Sequence, residues 1–109
     1  LLAMLEKVKE GVISIERVVE KMAHAPAELF KISERGFIRE GYFADLVIVN
    51  PNMTYLVNKN NILSKCGWSP FENQLFSNKI ETTFVNGEIV YNNEKIIEGE
   101  PGKRLLFNR

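Results

Sequence analysis

Apolar and polar positions change period once along this chain. From Leu1 to about Ile32 the apolar residues recur at helical spacing, and beyond it they come in short runs separated by glycine, proline and asparagine. Leu1, Leu5 and Val8 share one helical face, Lys7, Lys9 and Glu10 are left for solvent, and Gly11 is a stop signal. Ser14 is placed to cap a second helix. Its apolar stripe is Ile15, Val18, Val19, Met22 and Ala23, with Glu16, Arg17, Glu20 and Lys21 opposite. Ala25-Pro26 predicts the end of that helix, because a residue before proline resists the α conformation. Pro26 to Lys31 then predicts a short third helix offering Leu29 and Phe30 to a core. The chain opens on a helix already under way, without start signals, and this predicts that it begins inside something larger.

The second part is organised around Gly36 to Asn50. Two glycines five apart supply a tight turn, and Asp45 leads into Leu46-Val47-Ile48-Val49, four apolar residues without alternation. Asn50-Pro51-Asn52 stops the run. Such a run predicts a strand covered on both faces. Burying its four side chains is worth roughly 6–12 kcal/mol in transfer terms, so elements above and below are required. Thr54 to Val57 predicts another strand, Asn58 to Asn61 a loop, and Lys65 to Glu72 a structured loop pinned by the buried rings of Trp68 and Phe71. Asn86-Gly87 between two apolar runs predicts a type I′ hairpin, with Phe84 opposite Ile89 and Thr82 opposite Tyr91. Asn92-Asn93 predicts a further turn, Lys95 to Ile97 a return strand, and Leu105-Leu106-Phe107 a last segment after Gly102.

Composition narrows the partners more than the fold. Fourteen basic residues balance fourteen acidic ones, so no overall field attracts nucleic acid or an anionic membrane. No apolar run approaches the ~20 residues that span a bilayer, and no secretory leader is visible. Cys66 is the single cysteine, which rules out an internal disulfide and fits a reducing, cytoplasmic setting. His24 has no second histidine or cysteine at metal-ligand spacing and is read as bonding free carbonyls at a helix end or facing solvent. Cys66 lacks a neighbouring base and is read as a small buried side chain. Asp45 is expected to bond backbone amides at its turn and Glu72 to satisfy loop donors. Gly36 and Gly41 have no Lys-Ser/Thr after them and precede a strand, which excludes a phosphate loop. Tyr42, Phe43, Trp68 and Phe71 have no interleaved basic residues, which argues against a nucleic-acid platform. No catalytic, cofactor-binding or metal-binding residue is assigned to this chain.

Particular residues carry a family resemblance. Gly36-x-Ile38-x-x-Gly41-x-x-Ala44-Asp45-Leu46-Val47-x-Val49 resembles the segment by which amidohydrolase-superfamily chains return from their barrel to a small β-sandwich. Thr83-x-Val85-Asn86-Gly87-x-x-Val90-Tyr91 resembles the closing hairpin of the same superfamily. Lys65-Cys66-Gly67-Trp68-Ser69-Pro70-Phe71-Glu72, with Gly102-x-Arg104-Leu105-x-Phe107-x-Arg109, is similar to the dihydroorotase family within it. Asn73 departs from the glycine that usually follows that glutamate, and Ala25-Pro26-Ala27-x-x-Phe30 stands where the family has an Asn-Pro-Ala stretch.

The resemblance implies an α/β parent, a (β/α)₈ TIM barrel with a composite β-sandwich. Residues 1–35 would be the terminal barrel helices and 36–109 the C-terminal part of the sandwich. It implies a hydrolase that interconverts N-carbamoyl-L-aspartate and dihydroorotate in pyrimidine biosynthesis, at a zinc centre that activates a bridging water, with an aspartate as proton shuttle. The ligands of that centre (histidines, a carboxylated lysine and an aspartate) belong to motifs absent from this stretch, so zinc is expected in the parent enzyme and not on this chain. The implied partners are the N-terminal part of the same enzyme and a small-molecule substrate, with homo-oligomerisation of the parent left open. Two alternatives stand beside this reading: the tail of a hydantoinase, dihydropyrimidinase or allantoinase, and a non-catalytic interaction module.

Overall fold

Helix α1 (Leu2–Lys9) ends where Gly11 turns the backbone left-handed, at φ +75°. Gly11 N–H donates to the Val8 carbonyl and Val12 N–H to the Lys7 carbonyl, each at 3.0 Å, the paired bonds that close a helix on glycine. The structure is a computed structural model that describes residues 1–99 and 102–109. Helix α2 (Ile15–Val19) starts as its sequence predicts, with Ser14 Oγ accepting the Arg17 N–H at 3.2 Å.

The helix does not end at Ala25-Pro26. Glu20–His24 widens into a π turn and α3 (Ala25–Leu29) continues from it. Ala25 N–H reaches back to the Glu20 carbonyl, one residue beyond the α-helical partner. This widening accommodates the proline, whose ring has no N–H to donate and would collide with the carbonyl four residues earlier. The extra residue also advances the helical face by about 100°. Ala27 therefore turns inward, whereas Leu29 and Phe30, expected in a core, are 75% and 59% exposed.

Strands follow helices. β1 (Leu46–Asn50), β4 (Lys79–Val85), β5 (Glu88–Asn92) and β6 (Lys95–Ile96) form an antiparallel sheet in the order β1-β4-β5-β6. β2 (Tyr55–Leu56) and β3 (Leu75–Phe76) make a separate two-stranded ribbon. Asn86 and Gly87 both adopt positive φ, 53° and 82°, as a type I′ turn requires. Phe84 faces Ile89 as expected, but a bulge beyond that pair places Thr83 opposite Tyr91 and Thr82 opposite Asn92. That corrects the expected Thr82–Tyr91 pairing, because one extra residue on β5 shifts every later partner. The next turn sits at Asn93-Glu94, both with positive φ, one residue later than expected. Asn58 to Asn61 is an ordered 3₁₀ turn, Lys59–Asn61, closed by reciprocal Asn58 and Asn61 bonds. The final segment returns to the end of the helical run, where Ser33 N–H donates to the Leu106 carbonyl and Asn108 N–H to the Lys31 carbonyl, both at 2.8 Å.

β1 is not covered on both faces. It lies at the sheet edge, and Leu46, Val47 and Ile48 remain exposed because no described element packs over them. The buried apolar side chains are Leu5, Val18, Ala27, Val57 and Phe76, a small core for this length. Of the α2 stripe only Val18 is enclosed, and Ile15, Val19 and Met22 stay exposed. Accessible surface is 8194 Å², against about 6,200 Å² for a compact monomer of this mass. The radius of gyration is 15.2 Å, where roughly 13 Å is usual for this length. No helix among the described residues is long and apolar enough to cross a membrane.

Candidate functional site

Two features organise the junction of helices and sheet: a polar latch and an apolar groove. The latch begins at Arg35, a residue ahead of Gly36, whose φ of +83° aims the chain back past the helices. Arg35 is buried, and its Nη1 pairs with Asp45 Oδ2 while its Nη2 donates to Asn86 Oδ1 at 2.8 Å. Asp45 Oδ1 accepts the Asn86 backbone N–H at 2.8 Å, so the carboxylate does bond a backbone amide, but one in the hairpin 41 residues on and not at its own turn as expected. Gly87 N–H donates to the Ala44 carbonyl at 3.0 Å, and Phe43 stacks under the guanidinium, 4.1 Å from its Cζ. A buried cation is thus matched by a carboxylate, an amide oxygen and a ring face. Three segments, at residues 35, 43–45 and 86–87, are held as one unit.

Gly36 sits where only glycine fits. A Cβ there would lie inside contact distance of Ala27 Cβ and 2.9 Å from the Ala23 carbonyl oxygen. This close approach draws the sheet-forming part against the helical run. The groove beside it has a volume of about 960 Å³ and is lined by the α2 stripe (Ile15, Val18, Val19, Met22), by Leu1, Leu5 and Val8 of the first helix face, and by Phe37, Leu46, Val47 and Val49. The apolar stripe read from the sequence therefore faces open space and not a core.

Helix α1 is tied to the sheet by ionic and polar bonds. Glu6 accepts Ser77 N–H at 2.9 Å and Ser77 Oγ–H at 2.6 Å, and the Ser77 hydroxyl and amide hold its carboxyl below the usual carboxylate range. Lys9 Nζ donates to the carbonyls of Pro51 and Ser77 at 2.5 and 2.7 Å. The buried Asn78 amide lies by the Glu6 carboxylate without a partner at hydrogen-bond distance. A second hollow of about 400 Å³ on the sheet contains Tyr55, Tyr91, Ile80 and Ile96, and burial pushes both phenols above their ordinary value.

The remaining sequence candidates are scattered. His24 stacks on Phe37, with ring centroids 4.3 Å apart, so the histidine packs as a ring, and the Arg39 guanidinium lies 4.2 Å from the centre of the same Phe37 ring. Cys66 is exposed and not buried, because its loop stands away from the core. Ser64 Oγ at 3.2 Å leads in lowering its thiol pKa. Trp68 is 62% exposed, and only Phe71 touches a buried ring, Phe76, edge-on at 5.7 Å. The expected pinning by buried rings therefore falls to Phe71 alone. Glu72 takes no side-chain hydrogen bond among the described residues, contrary to its expected role. Basic residues do meet aromatics, Arg35 and Lys103 at Phe43 and Arg39 at Tyr42, and the run Arg35-Gly36-Phe37-Ile38-Arg39 alternates them in sequence too, which corrects the expectation of no interleaving.

These residues do not fit a zinc ion. No group of three His, Cys, Asp or Glu side chains comes together among the described residues, and the chain's histidine and cysteine lie on separate segments. Sequence reading missed Arg35. The available signal was a lone arginine directly before a turn glycine, in a segment that also offers Asp45 as counter-ion.

The sequence model of the Amidohydrolase family matches residues 1–90. Dihydroorotase of Pyrococcus furiosus is 32% identical over 103 residues, covering 94% of this chain and 25% of that protein. Dihydroorotase of Endomicrobium trichonymphae is 37% identical over 90 residues, 83% of this chain and 21% of that protein. Among solved structures, L-hydantoinase (dihydropyrimidinase) from Arthrobacter aurescens superposes with a TM-score of 0.77 at 29% identity, over 84% of this chain and 20% of its own. A D-hydantoinase structure gives the same TM-score at 23% identity, a likeness of fold alone. The chain spans about a quarter of the length of the curated relatives it matches.

Proposed function

The chain belongs to the amidohydrolase family, and from that premise we propose that it is the C-terminal, structural part of a zinc-dependent dihydroorotase. That enzyme interconverts dihydroorotate and N-carbamoyl-L-aspartate in the cytoplasm. Residues 1–35 supply the last helices of a (β/α)₈ barrel, and residues 36–109 supply strands of a composite sandwich. The observation that carries this reading is the groove between the α2 stripe and β1. It is apolar, open and bordered by an unpaired sheet edge, on a molecule that exposes roughly a third more surface than its mass calls for. The missing walls are assigned to the preceding part of the same polypeptide. No residue of this chain is assigned to catalysis or to the metal. Zinc, when bound in the parent, supplies an activated water and a polarised amide carbonyl. What this chain contributes is the latch at Arg35 and the apolar faces against which the barrel closes.

The test is turnover by the full-length protein that carries this chain. It is expected to open dihydroorotate and to cyclise N-carbamoyl-L-aspartate in a zinc-dependent way, while residues 1–109 alone do neither. Ring opening of hydantoin or dihydropyrimidine with dihydroorotate untouched would move the assignment to the hydantoinase branch, which the 0.77 superposition favours as the second reading. Failure to turn over any cyclic amide would leave the non-catalytic module.

A further inference from the structure

Asn86-Gly87 is the sequence most prone to spontaneous loss of an asparagine amide, because glycine puts no side chain in the way of ring closure. In that reaction the Gly87 amide nitrogen gives up its proton to solvent base and bonds to Asn86 Cγ. The Cγ–Nδ2 bond breaks, and Nδ2 leaves as ammonia after taking protons from water. Water then opens the five-membered imide at one carbonyl or the other, giving aspartate or isoaspartate. Aspartate would set a second carboxylate beside Asp45. Isoaspartate would add a carbon to the main chain inside a two-residue turn and undo the pairing of Val85 with Glu88.

We propose that Arg35 is a guard for this pair, a positioning residue that holds Asn86 in a geometry from which the imide cannot close. Both reacting groups are engaged: Gly87 N–H is committed to the Ala44 carbonyl at 3.0 Å, and Asn86 Oδ1 to Arg35 Nη2 at 2.8 Å. The Asn86 N–H is held by Asp45 Oδ1 at 2.8 Å, so the residue is fixed at its backbone and its side chain at once. The same guanidinium draws electrons from the Asn86 carbonyl, which would favour attack if a nucleophile were aligned. Alignment decides the balance. Attack needs the nitrogen, released from the Ala44 carbonyl, within near-attack distance of Cγ, and the guard works on condition that turning the carboxamide into that position gives up its charge-assisted hydrogen bond to Arg35. Breaking such a bond first slows closure by roughly 10- to 100-fold. Arg35 is itself buried and paired with Asp45, so the guard disengages only when the latch opens. Loss of the Asn86 amide is then a chemical record of latch opening. This inference stands apart from the assignment of substrate.

The experiment ages the full-length protein at mildly alkaline pH and follows the Asn86 peptide by mass spectrometry, with isoaspartate quantified separately. Folded wild type is expected to lose the amide at least about tenfold more slowly than the same chain unfolded in urea. Arg35→Lys keeps a cation for Asp45 but offers one nitrogen where two are needed, and is expected to raise the folded-state rate severalfold. Asp45→Asn removes the charge that aims Arg35 and is expected to raise it as well, which keeps the test open should the lysine variant fail to fold. Equal rates in folded and unfolded wild type would overturn the proposal. So would a folded variant of either kind that ages at the wild-type rate.

Discussion

Truncating Asp45 to alanine leaves the Arg35 guanidinium buried without its counter-ion and the Asn86 N–H without its acceptor. Such losses leave charged and polar groups unsatisfied, and the expected cost is about 2 kcal/mol. A third of the Asp45 side chain is exposed, which keeps the figure below that of a fully buried pair. Asp45→Asn retains one acceptor and is expected to lose less. Urea unfolding of the full-length protein measures both, and an alanine variant as stable as wild type would show that the latch contributes nothing. Glu6 couples stability to pH. Its folded pKa is depressed by the Ser77 hydroxyl and amide, so its contribution is present above the ordinary carboxylate pKa and is lost as pH falls through the lower folded value. Glu6→Gln is therefore expected to lower stability near neutrality and to flatten the acid limb of a melting-temperature profile. Parallel profiles for the two proteins would contradict it. Arg35 was hidden from sequence reading because its partners are 10 and 51 residues away, and Asp45 was legible only as an acceptor of a backbone amide, since the amide it binds lies 41 residues on in the hairpin.

At the scale of elements, Gly36 and Gly41 make a controlled pair. Both have φ above +80°, but a Cβ at Gly41 meets nothing within 4 Å while one at Gly36 runs into Ala27 and the Ala23 carbonyl. Gly41→Ala is expected to cost about 1 kcal/mol, the strain of a left-handed alanine. Gly36→Ala adds a main-chain clash and is expected to cost at least 2–3 kcal/mol more, by order of magnitude for a strained, overpacked site. Equal melting temperatures for the two variants would mean the helices and sheet are not pressed together at this point. What was legible here followed local chemistry: Ser14 as cap, Gly11 as stop, Asn86-Gly87 as turn. What was not legible depended on a neighbour or an insertion. Pro26 ended nothing because five residues before it widened into a π turn, and Thr82 met Asn92 because of a single bulge. Trp68 and Cys66 were expected inside for their type, yet exposure in a loop is set by what packs against it.

For the whole molecule, the helical stripe and the apolar strand were visible in sequence, but the strand was expected to be covered on both faces and lies at the sheet edge. The structure adds where they meet, in one groove of about 960 Å³. Apolar surface of this extent is expected to make residues 1–109 alone associate, bind a hydrophobic dye and melt with weak cooperativity. The most direct measurement separates the polypeptide into two chains: residues 1–109, and the preceding part of the full-length protein, produced separately and mixed. The account predicts a one-to-one complex in which dye binding disappears, a single cooperative melt is recovered and dihydroorotase activity returns. A monomeric 109-residue chain that melts sharply by itself and shows no affinity for the preceding part would contradict it.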